Sequence, residues 1–408
     1  MIQKTKDLQT TLTSFQEQET VCCIACGSTH VTDIFESKQL PVNVGVMGNT
    51  AEEALNAPTA DIILTYCSSC GLVFNRIFDH SIVEFQPGYE VALQHSTIFR
   101  EFTNSVIERL VTDFDLHNKN ILELGCGAGY FLRSICELGT NQGIGIDPTV
   151  PEEGHHVLKQ GSVEFIRDFY SSKYQHLQSD FVCCLSVFED IPAPAQFLTD
   201  VREMIGTRTD VPLYFEVFNA FRAIQQRETW SIHYEQCNYF SLESMTAMFK
   251  KCGFKITNSG TCYQDGQYLY IEALPDQQSP SDTSKAPSPE LPTEIASFAS
   301  HHLEKLDYWT QLLNESRSKQ ERVLIWGTGG KGISFLNSLN TQGLIEYAVE
   351  INPDKHGKFV PGSGQQIVPP EFMTQYQPDK VIITNALYQE EMQQQAKQLG
   401  VNPEFLIA

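Results

Sequence analysis

The stretch "ILELGCGAGYFL", residues 121–132, places three glycines between an apolar run and a second apolar segment. The first run predicts a β-strand and the second predicts a helix, so the glycines fall in the turn between them. Gly125, Gly127 and Gly129 follow a Gly-x-Gly-x-Gly spacing, whereas a dinucleotide-binding turn would have its third glycine where this chain has Tyr130. Glycines at such a turn let the backbone approach a ligand closely. The stretch therefore predicts the first strand and helix of a ligand-binding α/β domain.

Polar side chains stand at the ends of the strands around this turn. Glu123 precedes the turn, where it can meet the ammonium group of a ligand. Asp147 ends the next strand, "GIGID", where a carboxylate can accept from two ribose hydroxyls. Asp168 follows the third strand and is placed to accept from an adenine amino group, with Phe169 against the ring. Any one of these also fits a solvated strand end, but together they predict S-adenosylmethionine as the cofactor.

Strands and helices alternate on both sides of this region. "VEFIRD", "DFVCCLS" and "PLYFEVF" read as strands and "PAQFLTDVREMI" as a helix, which predicts a mostly parallel, doubly wound α/β sheet. Beyond the Pro- and Ser-rich "DQQSPSDTSKAPSPELP", a second such pattern contains "RVLIWG", "IEYAVEIN" and "DKVIITN". Ligands bind at the carboxyl ends of the strands in such folds, so we expect a cleft between the two halves to be the active site.

The same patterns divide the chain into five segments. They are a flexible tail (1–20), a cysteine-rich module (21–85), a Rossmann-like cofactor-binding domain (86–273), a linker (274–292) and a C-terminal α/β substrate-binding domain (293–408).

Four cysteines in the second segment form two Cys-x-x-Cys pairs, Cys23 with Cys26 and Cys67 with Cys70. Two such pairs supply four thiolates for a tetrahedral zinc ion, with no open position for catalysis. Cys22 could replace Cys23, but the Cys-x-x-Cys spacing favours Cys23. We therefore predict structural Zn²⁺, against the alternatives of buried cysteines or a redox pair.

Composition limits the classes of partner. Of 408 residues, 41% are hydrophobic and 19% charged, an ordinary globular balance. The formal net charge of −22 opposes binding to nucleic acid and to acidic membrane surfaces. The chain contains no run of about 20 apolar residues and no signal peptide at its start, so we expect a soluble, cytoplasmic protein that acts on a small molecule.

The motifs resemble those of class I S-adenosylmethionine-dependent methyltransferases: "LELGCGAG", the spaced Asp147 and Asp168, and "SVFEDI" after the fourth strand. With the four-cysteine module and a C-terminal half carrying "IWGTGGKGISFLN" and "INPDKHGKFVPGSGQQIV", the chain is similar to the three-domain, zinc-containing sugar C-methyltransferases from about residue 22 to its end. The resemblance implies methylation of carbon in a nucleotide-linked deoxysugar.

A second glycine turn, "WGTGGKG", does satisfy the dinucleotide spacing, with Glu350 at a later strand end. Lys331 in this turn is a cation suited to a phosphate at the start of a helix. The resemblance implies that this half helps hold the nucleotide-sugar. We therefore assign Gly327, Gly329 and Lys331 to the substrate's phosphate, with NAD binding and a purely structural turn as alternatives.

The segment "HYEQCNYFS", residues 233–241, is where the resemblance places the catalytic base. Family members commonly have a Glu-His pair there, and this chain has Glu235 and Gln236. An amide accepts no proton at neutral pH, so Gln236 cannot be that base. His233, Tyr234 or Glu235 could take the role, or His95 from an earlier segment. Alternatively, the acceptor needs a weaker base, or Gln236 orients the substrate.

These alternatives leave three functions open. The first is C-methylation next to a ketone. The second is O- or N-methylation of another small metabolite, and the third is cofactor binding without catalysis. Tyr89 and Asn219 are weaker candidates for substrate binding, since strand-end and loop residues of these types are common. Ser241 is expected to cap the following helix, with Tyr239 and Phe240 in the core.

Overall fold

The structure is a computed structural model, and three β-sheets of four, eight and five strands organise it. It describes residues 21–89, 96–277, 291–339, 341 and 343–408. The predicted tail, most of the predicted linker and His95 lie outside the described residues. Across the ranges that are described, no helix has the length and apolar character needed to cross a membrane.

The four-stranded sheet is antiparallel and consists mainly of β1 (Val31–Pro41), β2 (Thr59–Cys67) and β3 (Val73–Asn75). A short helix, α1 (Ala51–Leu55), lies in the connection between β1 and β2. The fourth strand, β10 (Asn238–Tyr239), comes from far along the chain and pairs with β3. This pairing brings the segment "HYEQCNYFS" against the N-terminal sheet.

The eight-stranded sheet carries the first glycine turn. Its strands are β4 (Asn120–Leu124), β5 (Gln142–Ile146), β6 (Gly154–Val157), β7 (Ser162–Ile166), β8 (Phe181–Leu185), β9 (Leu213–Phe218), β11 (Phe254–Cys262) and β12 (Tyr268–Pro275). Their order across the sheet is β11-β12-β9-β8-β4-β5-β7-β6. The five strands from β9 to β7 are mutually parallel, and β6, β11 and β12 are antiparallel to their neighbours. The mostly parallel, Rossmann-like sheet is confirmed.

Helices cover both faces of this sheet. They are α2 (Thr97–Asp113), α3 (Tyr130–Gly139), α4 (Pro194–Ile205), α5 (Ala220–Gln225) and α6 (Leu242–Lys251). Ile121 of β4 belongs to a core cluster with α2 and α3, whereas Leu122 belongs to a cluster with α4 and α6. Burial of both faces explains why strands such as "DFVCCLS" are apolar throughout.

Ser241 begins α6 as the sequence predicts. Its hydroxyl accepts from the Ser244 N–H (3.1 Å), and the Ser244 hydroxyl accepts from the Ser241 N–H (2.9 Å), which forms a capping box. Tyr239 and Phe240 are buried in the core. The end of "HYEQCNYFS" therefore has a structural role.

The five-stranded sheet is entirely parallel. Its strands are β13 (Val323–Trp326), β14 (Tyr347–Val349), β15 (Gln366–Val368), β16 (Lys380–Ile383) and β17 (Glu404–Ile407), and its helices are α7 (Thr293–Ser318), α8 (Gly330–Ser338), α9 (Met373–Tyr376) and α10 (Gln389–Gln398). The strand order is β15-β14-β13-β16-β17: from β13 the chain adds β14 and β15 on one side and then β16 and β17 on the other, so the switch point lies between β13 and β16. Ligands of open α/β sheets bind at such a switch point.

Hydrogen bonds join the C-terminal part of the chain to the rest of the molecule. Gly48, in the β1–β2 connection, exchanges two hydrogen bonds with Phe359 (3.0 and 2.8 Å). The Ser334 hydroxyl of α8 donates to the Ile232 carbonyl, just before "HYEQCNYFS" (2.9 Å). The turns that follow the carboxyl ends of β4 and β13 line the same cavity.

Candidate active site

A cavity of about 840 Å³ lies between the eight-stranded and five-stranded sheets, and we refer to it as the main cavity. Its volume is within the range of pockets that enclose a small-molecule ligand. It is lined by thirteen of the predicted site residues: Tyr89, Glu123, Gly125, Gly127, Asp147, Asp168, Phe169, His233, Glu235, Gln236, Gly327, Gly329 and Lys331. Gly129, Tyr234 and Asn219 are not among the lining residues.

The first glycine turn forms part of the cavity wall, and its three glycines share one backbone conformation but differ in their surroundings. All three have positive φ. A Cβ on Gly125 would lie 2.5 Å from Val187, and one on Gly129 would lie 2.2 Å from Phe165. A Cβ on Gly127 would meet no atom within 4 Å, so this glycine leaves open space above the turn. That space is available to a ligand against the backbone.

Glu123 lies beside this turn with an unsatisfied carboxylate. Its side chain is 3% exposed, and Oε2 has no hydrogen-bond partner among the described residues. Burial, with a smaller contribution from Asp147, raises the pKa of Glu123 well above its usual value. A cationic group would satisfy this carboxylate, so the position fits the ammonium of S-adenosylmethionine.

We expect Glu123→Gln to weaken S-adenosylhomocysteine binding by about 10- to 100-fold, since a hydrogen bond between charged groups is lost. Wild-type affinity should rise with pH, because the carboxyl group must lose its proton to pair with the ammonium; the variant should lose this dependence. Titration calorimetry at several pH values measures both effects. Glu164→Gln, on the exposed side of β7, is the matched control. Equal affinities of the Glu123 variant and wild type would contradict the assignment.

The two predicted aspartates also face the main cavity, and protein donors orient both. Asp147 Oδ2 accepts from the Gly127 N–H (2.8 Å), while Oδ1 accepts from the N–H and hydroxyl of Thr149 (both 2.6 Å). Asp168 pairs with Lys173 and accepts from the Tyr174 hydroxyl (2.6 Å). The hydrogen bond from Lys173 is the main cause of a lowered pKa of Asp168. Both side chains are therefore hydrogen-bond acceptors held in fixed orientations.

Phe169 presents its ring to the cavity. Its side chain is 46% exposed and lies edge-on to the ring of His80 (centroids 5.5 Å apart). An exposed aromatic ring at the edge of a cavity is suited to contact with a flat ligand group. The predicted contact with adenine remains a prediction.

Two of the predicted site residues are placed elsewhere. Tyr234 is 1% exposed in the core, where its hydroxyl accepts from the Asp79 N–H (2.8 Å) and its ring packs on Phe78. Asn219 caps α5: its oxygen accepts from the Arg222 N–H (3.1 Å) and its amide donates to the Gly266 carbonyl (2.9 Å). We expected both in the cleft, but backbone hydrogen bonds engage their polar atoms outside the cavity lining.

Glu235 combines deep burial with two hydrogen bonds. It is 1% exposed; Oε1 accepts from the Val44 N–H (3.0 Å) and Oε2 from the Tyr89 hydroxyl (2.7 Å). Burial raises the pKa of Glu235 to about 7, although these hydrogen bonds favour the charged form. A carboxylate with a pKa near neutrality can accept a proton and later release it, as a general base must.

His233 and Gln236 flank Glu235 in the main cavity. Burial lowers the pKa of His233 to about 4, and its Nδ1 has no partner among the described residues. The Gln236 amide donates one hydrogen bond to the Asn238 carbonyl (3.3 Å) and is 2% exposed. His233 is therefore a neutral, weak base, and Gln236 is an amide donor held at the cavity wall.

Several acids that the sequence analysis did not select also line the cavity, and two of them are adjacent in sequence. Glu189 and Asp190 follow β8 in "SVFEDI". Burial raises the pKa of Glu189 to about 7, and burial followed by the charges of Glu189 and Glu235 raises that of Asp190 well above its usual value. Their position at a strand end was the available signal, the same one that selected Asp147 and Asp168.

The second glycine turn faces the main cavity from the C-terminal sheet. Gly327 has a φ of +107°, and α8 begins at Gly330. Glu350 accepts from the N–H (3.1 Å) and hydroxyl (2.6 Å) of Thr328 in this turn. Asp147 likewise accepts from a backbone N–H of the first glycine turn, that of Gly127. The side chain of Lys331 pairs with Glu228.

A second cavity of about 700 Å³ adjoins the first, and we call it the side cavity. Lys331 lines both. Arg222 and Lys305 also line the side cavity, and Arg222 shares Glu228 with Lys331 (2.8 Å from Arg222). Arg222 also pairs with Asp265 (2.9 Å), so these three cations lie beside two carboxylates in a protein of strongly negative net charge.

The four cysteines of the two Cys-x-x-Cys pairs come together as predicted. Their sulfur atoms all lie within 4.8 Å of one another, and the Cys23–Cys70 and Cys26–Cys67 sulfurs are 3.6 Å apart. Four sulfurs at about 2.3 Å from a tetrahedral zinc ion would be separated by about 3.8 Å. The cluster therefore fits a four-coordinate metal ion.

Matches to known protein families cover both walls of the main cavity. A family described as "Methyltransferase domain" matches residues 96–259, and one described as "C-methyltransferase C-terminal domain" matches residues 292–407. No curated protein matches the chain significantly.

Similar solved structures cover less than half of the chain. Magnesium protoporphyrin IX methyltransferase from Synechocystis PCC 6803, with S-adenosylmethionine bound, is 18% identical over 44% of this chain and 80% of its own, with a TM-score of 0.33. The 1,6-didemethyltoxoflavin-N1-methyltransferase from Burkholderia thailandensis is 14% identical over 44% of this chain and 82% of its own, also with a TM-score of 0.33.

Proposed function

We propose that this chain, an S-adenosylmethionine-dependent methyltransferase, methylates carbon in a nucleotide-linked keto-deoxysugar. The observation that carries the proposal is the setting of Glu235: its buried carboxyl group lines the cavity that also contains the first glycine turn, accepts from the Val44 N–H and the Tyr89 hydroxyl, and has a pKa raised by burial to about 7. Carbon next to a ketone becomes a nucleophile only after it loses a proton, and such a carboxylate can remove one. The match of the C-terminal half to a C-methyltransferase domain supports carbon as the acceptor.

In the proposed mechanism, Glu235 accepts the α proton of the ketosugar. The electrons of the C–H bond form the enolate, and the α carbon then bonds to the methyl group. Bound S-adenosylmethionine supplies that methyl group, and the electrons of the S–CH₃ bond remain on sulfur. Alignment of the two reacting carbons supplies much of the rate acceleration.

Gln236 and Tyr89 assist Glu235 in this proposal. The Gln236 side chain has two N–H donors, and one already goes to the Asn238 carbonyl. We assign the other to the enolate oxygen, which gains negative charge as the proton leaves. The Tyr89 hydroxyl donates to Glu235 and so stabilises its ionised form before proton transfer. This makes Gln236 an orienting and stabilising group.

The phosphates of the nucleotide are assigned to the cations at the boundary of the two cavities. Lys331 and Arg222 share Glu228, and no hydrogen bond or ion pair is recorded for Lys305 among the described residues. Burial lowers the pKa of Lys331, and burial likewise lowers that of Lys305. A phosphate would give these two ammonium groups a further partner of opposite charge.

We expect Lys331→Ala to weaken nucleoside diphosphate binding by at least about tenfold, because a charge-assisted hydrogen bond is lost. S-adenosylhomocysteine binding should be unchanged. The control is Lys380→Ala, which removes a similarly buried lysine of the C-terminal half that pairs with Glu321 away from both cavities. Calorimetry with thymidine and uridine diphosphates measures the effect. An unchanged diphosphate affinity would remove Lys331 from the substrate site.

We also propose that Cys23, Cys26, Cys67 and Cys70 bind Zn²⁺ with a structural role. Four thiolates complete a tetrahedral shell and leave no position for substrate. Two backbone turns support this geometry, since the Gly27 N–H donates to the Cys23 carbonyl and the Gly71 N–H to the Cys67 carbonyl (both 2.8 Å).

Hydrogen exchange at the sugar tests the proposed function. Protein, S-adenosylhomocysteine and a panel of thymidine- and uridine-diphosphate-linked keto-deoxysugars are incubated in D₂O, and NMR follows the α proton. We expect loss of that proton from at least one sugar without methyl transfer. Methylation of oxygen or nitrogen, without exchange, would favour the alternative methyltransferase. Binding of S-adenosylhomocysteine with neither exchange nor methylation would favour a non-catalytic protein.

A further inference from the structure

The connection between β1 and β2 runs along the wall of the main cavity beside Glu235. Val44, which is 5% exposed, lines the cavity and donates its N–H to Glu235 Oε1 (3.0 Å). Gly48, four residues on, is paired with Phe359 of the C-terminal part. A segment of the N-terminal module is therefore fixed at both of these points next to the proposed base.

Gly45, between these two points, lies directly against the ring of Tyr89. A Cβ at position 45 would be 2.4 Å from Tyr89 Cε2 and 2.6 Å from both Cδ2 and Cζ. Carbon atoms that are not bonded to one another do not approach this closely. The φ of Gly45 lies outside the left-handed region, so its backbone conformation does not require glycine. The requirement at this position is space for the Tyr89 ring.

The Tyr89 ring is also held at one edge and at its hydroxyl. It packs edge-on against Phe85 (centroids 5.3 Å apart), and its hydroxyl donates to Glu235 Oε2 (2.7 Å). A methyl group on residue 45 would therefore push the ring away from the connection. The hydroxyl would move with the ring, off the carboxylate.

We propose that Gly45 is a positioning residue of the active site, whose missing side chain lets Tyr89 keep its hydrogen bond to Glu235. This inference rests on the proposed role of Glu235 as the base. The backbone of Gly45 also hydrogen-bonds to the Glu235 carboxyl group, but Gly45 does not touch the substrate in the proposed mechanism. The effect of its missing side chain is transmitted by the position of the Tyr89 hydroxyl.

The sign of the expected effect follows from the groups around Glu235. Burial raises the pKa of Glu235, whereas the hydrogen bond from the Tyr89 hydroxyl and the backbone hydrogen bonds from Val44 and Gly45 lower it. Asp190 faces Glu235, and the two negative charges disfavour each other. Asp147 lies farther away, near Tyr89. If the Tyr89 hydroxyl is displaced, the pKa of Glu235 rises above about 7. At a given pH below that value, a smaller fraction of Glu235 is then ionised.

The test is the pH profile of α-proton exchange for the wild type, Gly45→Ala, Tyr89→Phe and the double variant. We expect each single variant to move the acid limb of the profile to higher pH by about one pH unit, which lowers the rate about tenfold near pH 6. The double variant should shift no further than Tyr89→Phe alone, because both changes remove the same hydrogen bond.

Gly48→Ala is the control within the same connection. A Cβ there would lie 2.7 Å from the backbone nitrogen of Ala54, so this variant disturbs the connection without touching Tyr89. We expect it to lower the melting temperature and leave the pH profile in place. A crystal structure of Gly45→Ala gives a readout that needs no substrate: the Tyr89 hydroxyl should lie beyond hydrogen-bond distance of Glu235.

The outcomes separate this inference from the proposed function. Exchange by the wild type with an unshifted Gly45→Ala profile would overturn the role of Gly45 and leave Glu235 as the base. An equal shift in Gly48→Ala would also overturn it, since the effect would then belong to the whole connection. Absence of exchange in the wild type would overturn the proposed function, and an intact Tyr89–Glu235 hydrogen bond in the variant structure would overturn the inference by itself.

Discussion

Glu235→Gln is expected to lower methyl transfer and α-proton exchange by about 10³-fold, with S-adenosylhomocysteine binding unchanged within about twofold. A general base contributes about 10²- to 10⁴-fold to the rate, and an amide has no useful basicity. Glutamine has the shape of glutamate, and its oxygen can still accept from the Val44 N–H. The loss should therefore come from chemistry and not from folding, and single-turnover rates with circular dichroism measure the two separately.

His233→Ala is the comparison for this variant. The pKa of His233 is lowered to about 4, so its imidazole takes up a proton poorly at neutral pH. We expect this variant to lose no more than about tenfold in rate, chiefly through substrate positioning. Near wild-type exchange by Glu235→Gln, together with strong loss in His233→Ala, would transfer the base to His233.

The second large effect is expected at the cysteine cluster. Cys67→Ser should reduce bound zinc from one ion per chain to a small fraction and should unfold the N-terminal sheet. Structural zinc contributes about 10–16 kcal/mol of apparent binding free energy in small zinc-binding domains, and much of it is folding free energy. Cys67 is fully buried at the end of β2, an inner strand of this sheet. Loss of its bond to the metal would therefore destabilise the sheet.

Loss of that sheet should also reach the active site. β10 pairs with β3, and Val44 donates to Glu235, so the N-terminal module contributes to the position of the base. We expect methyl transfer and the first thermal transition to be lost together when zinc is removed by mutation or by a chelator. Elemental analysis and calorimetry measure these changes.

Cys22→Ser is the control for the metal site. Cys22 is next to Cys23 in sequence but is not part of the four-sulfur cluster. It should retain one zinc ion and the wild-type melting temperature. A Cys67→Ser protein of full stability and normal activity would contradict the structural role of the metal, and loss of zinc in Cys22→Ser would show that the ligand set differs.

Local patterns were sufficient to predict several residues on one side of the main cavity. In "ILELGCGAGYFL" the strand, the turn and the helix follow one another, so spacing placed the glycines in the turn; Gly125 and Gly127 line the cavity, whereas Gly129 does not. Asp147 and Asp168 were found because parallel strands bring their carboxyl ends to one edge of the sheet. Glu189 satisfied the same rule and could have been selected by it.

The catalytic side depends on contacts between residues that are far apart in sequence. Glu235 receives its hydrogen bonds from Val44 and Tyr89, which precede it by 191 and 146 residues. No periodicity within "HYEQCNYFS" separates Glu235, which faces the cavity, from Tyr234, which faces the core. Asn219 shows the same limit, since an asparagine after a strand can face a ligand or cap a helix, and here it caps α5.

The most direct test of the central claim is the position of the transferred methyl group. S-adenosylmethionine labelled with ¹³C in its methyl group is incubated with the protein and the panel of nucleotide-linked keto-deoxysugars, and the products are analysed by NMR. The account predicts that the label is bonded to the carbon next to the ketone, with one α proton lost. A label bonded to oxygen or nitrogen, or no transfer to any sugar while the cofactor binds, would contradict it.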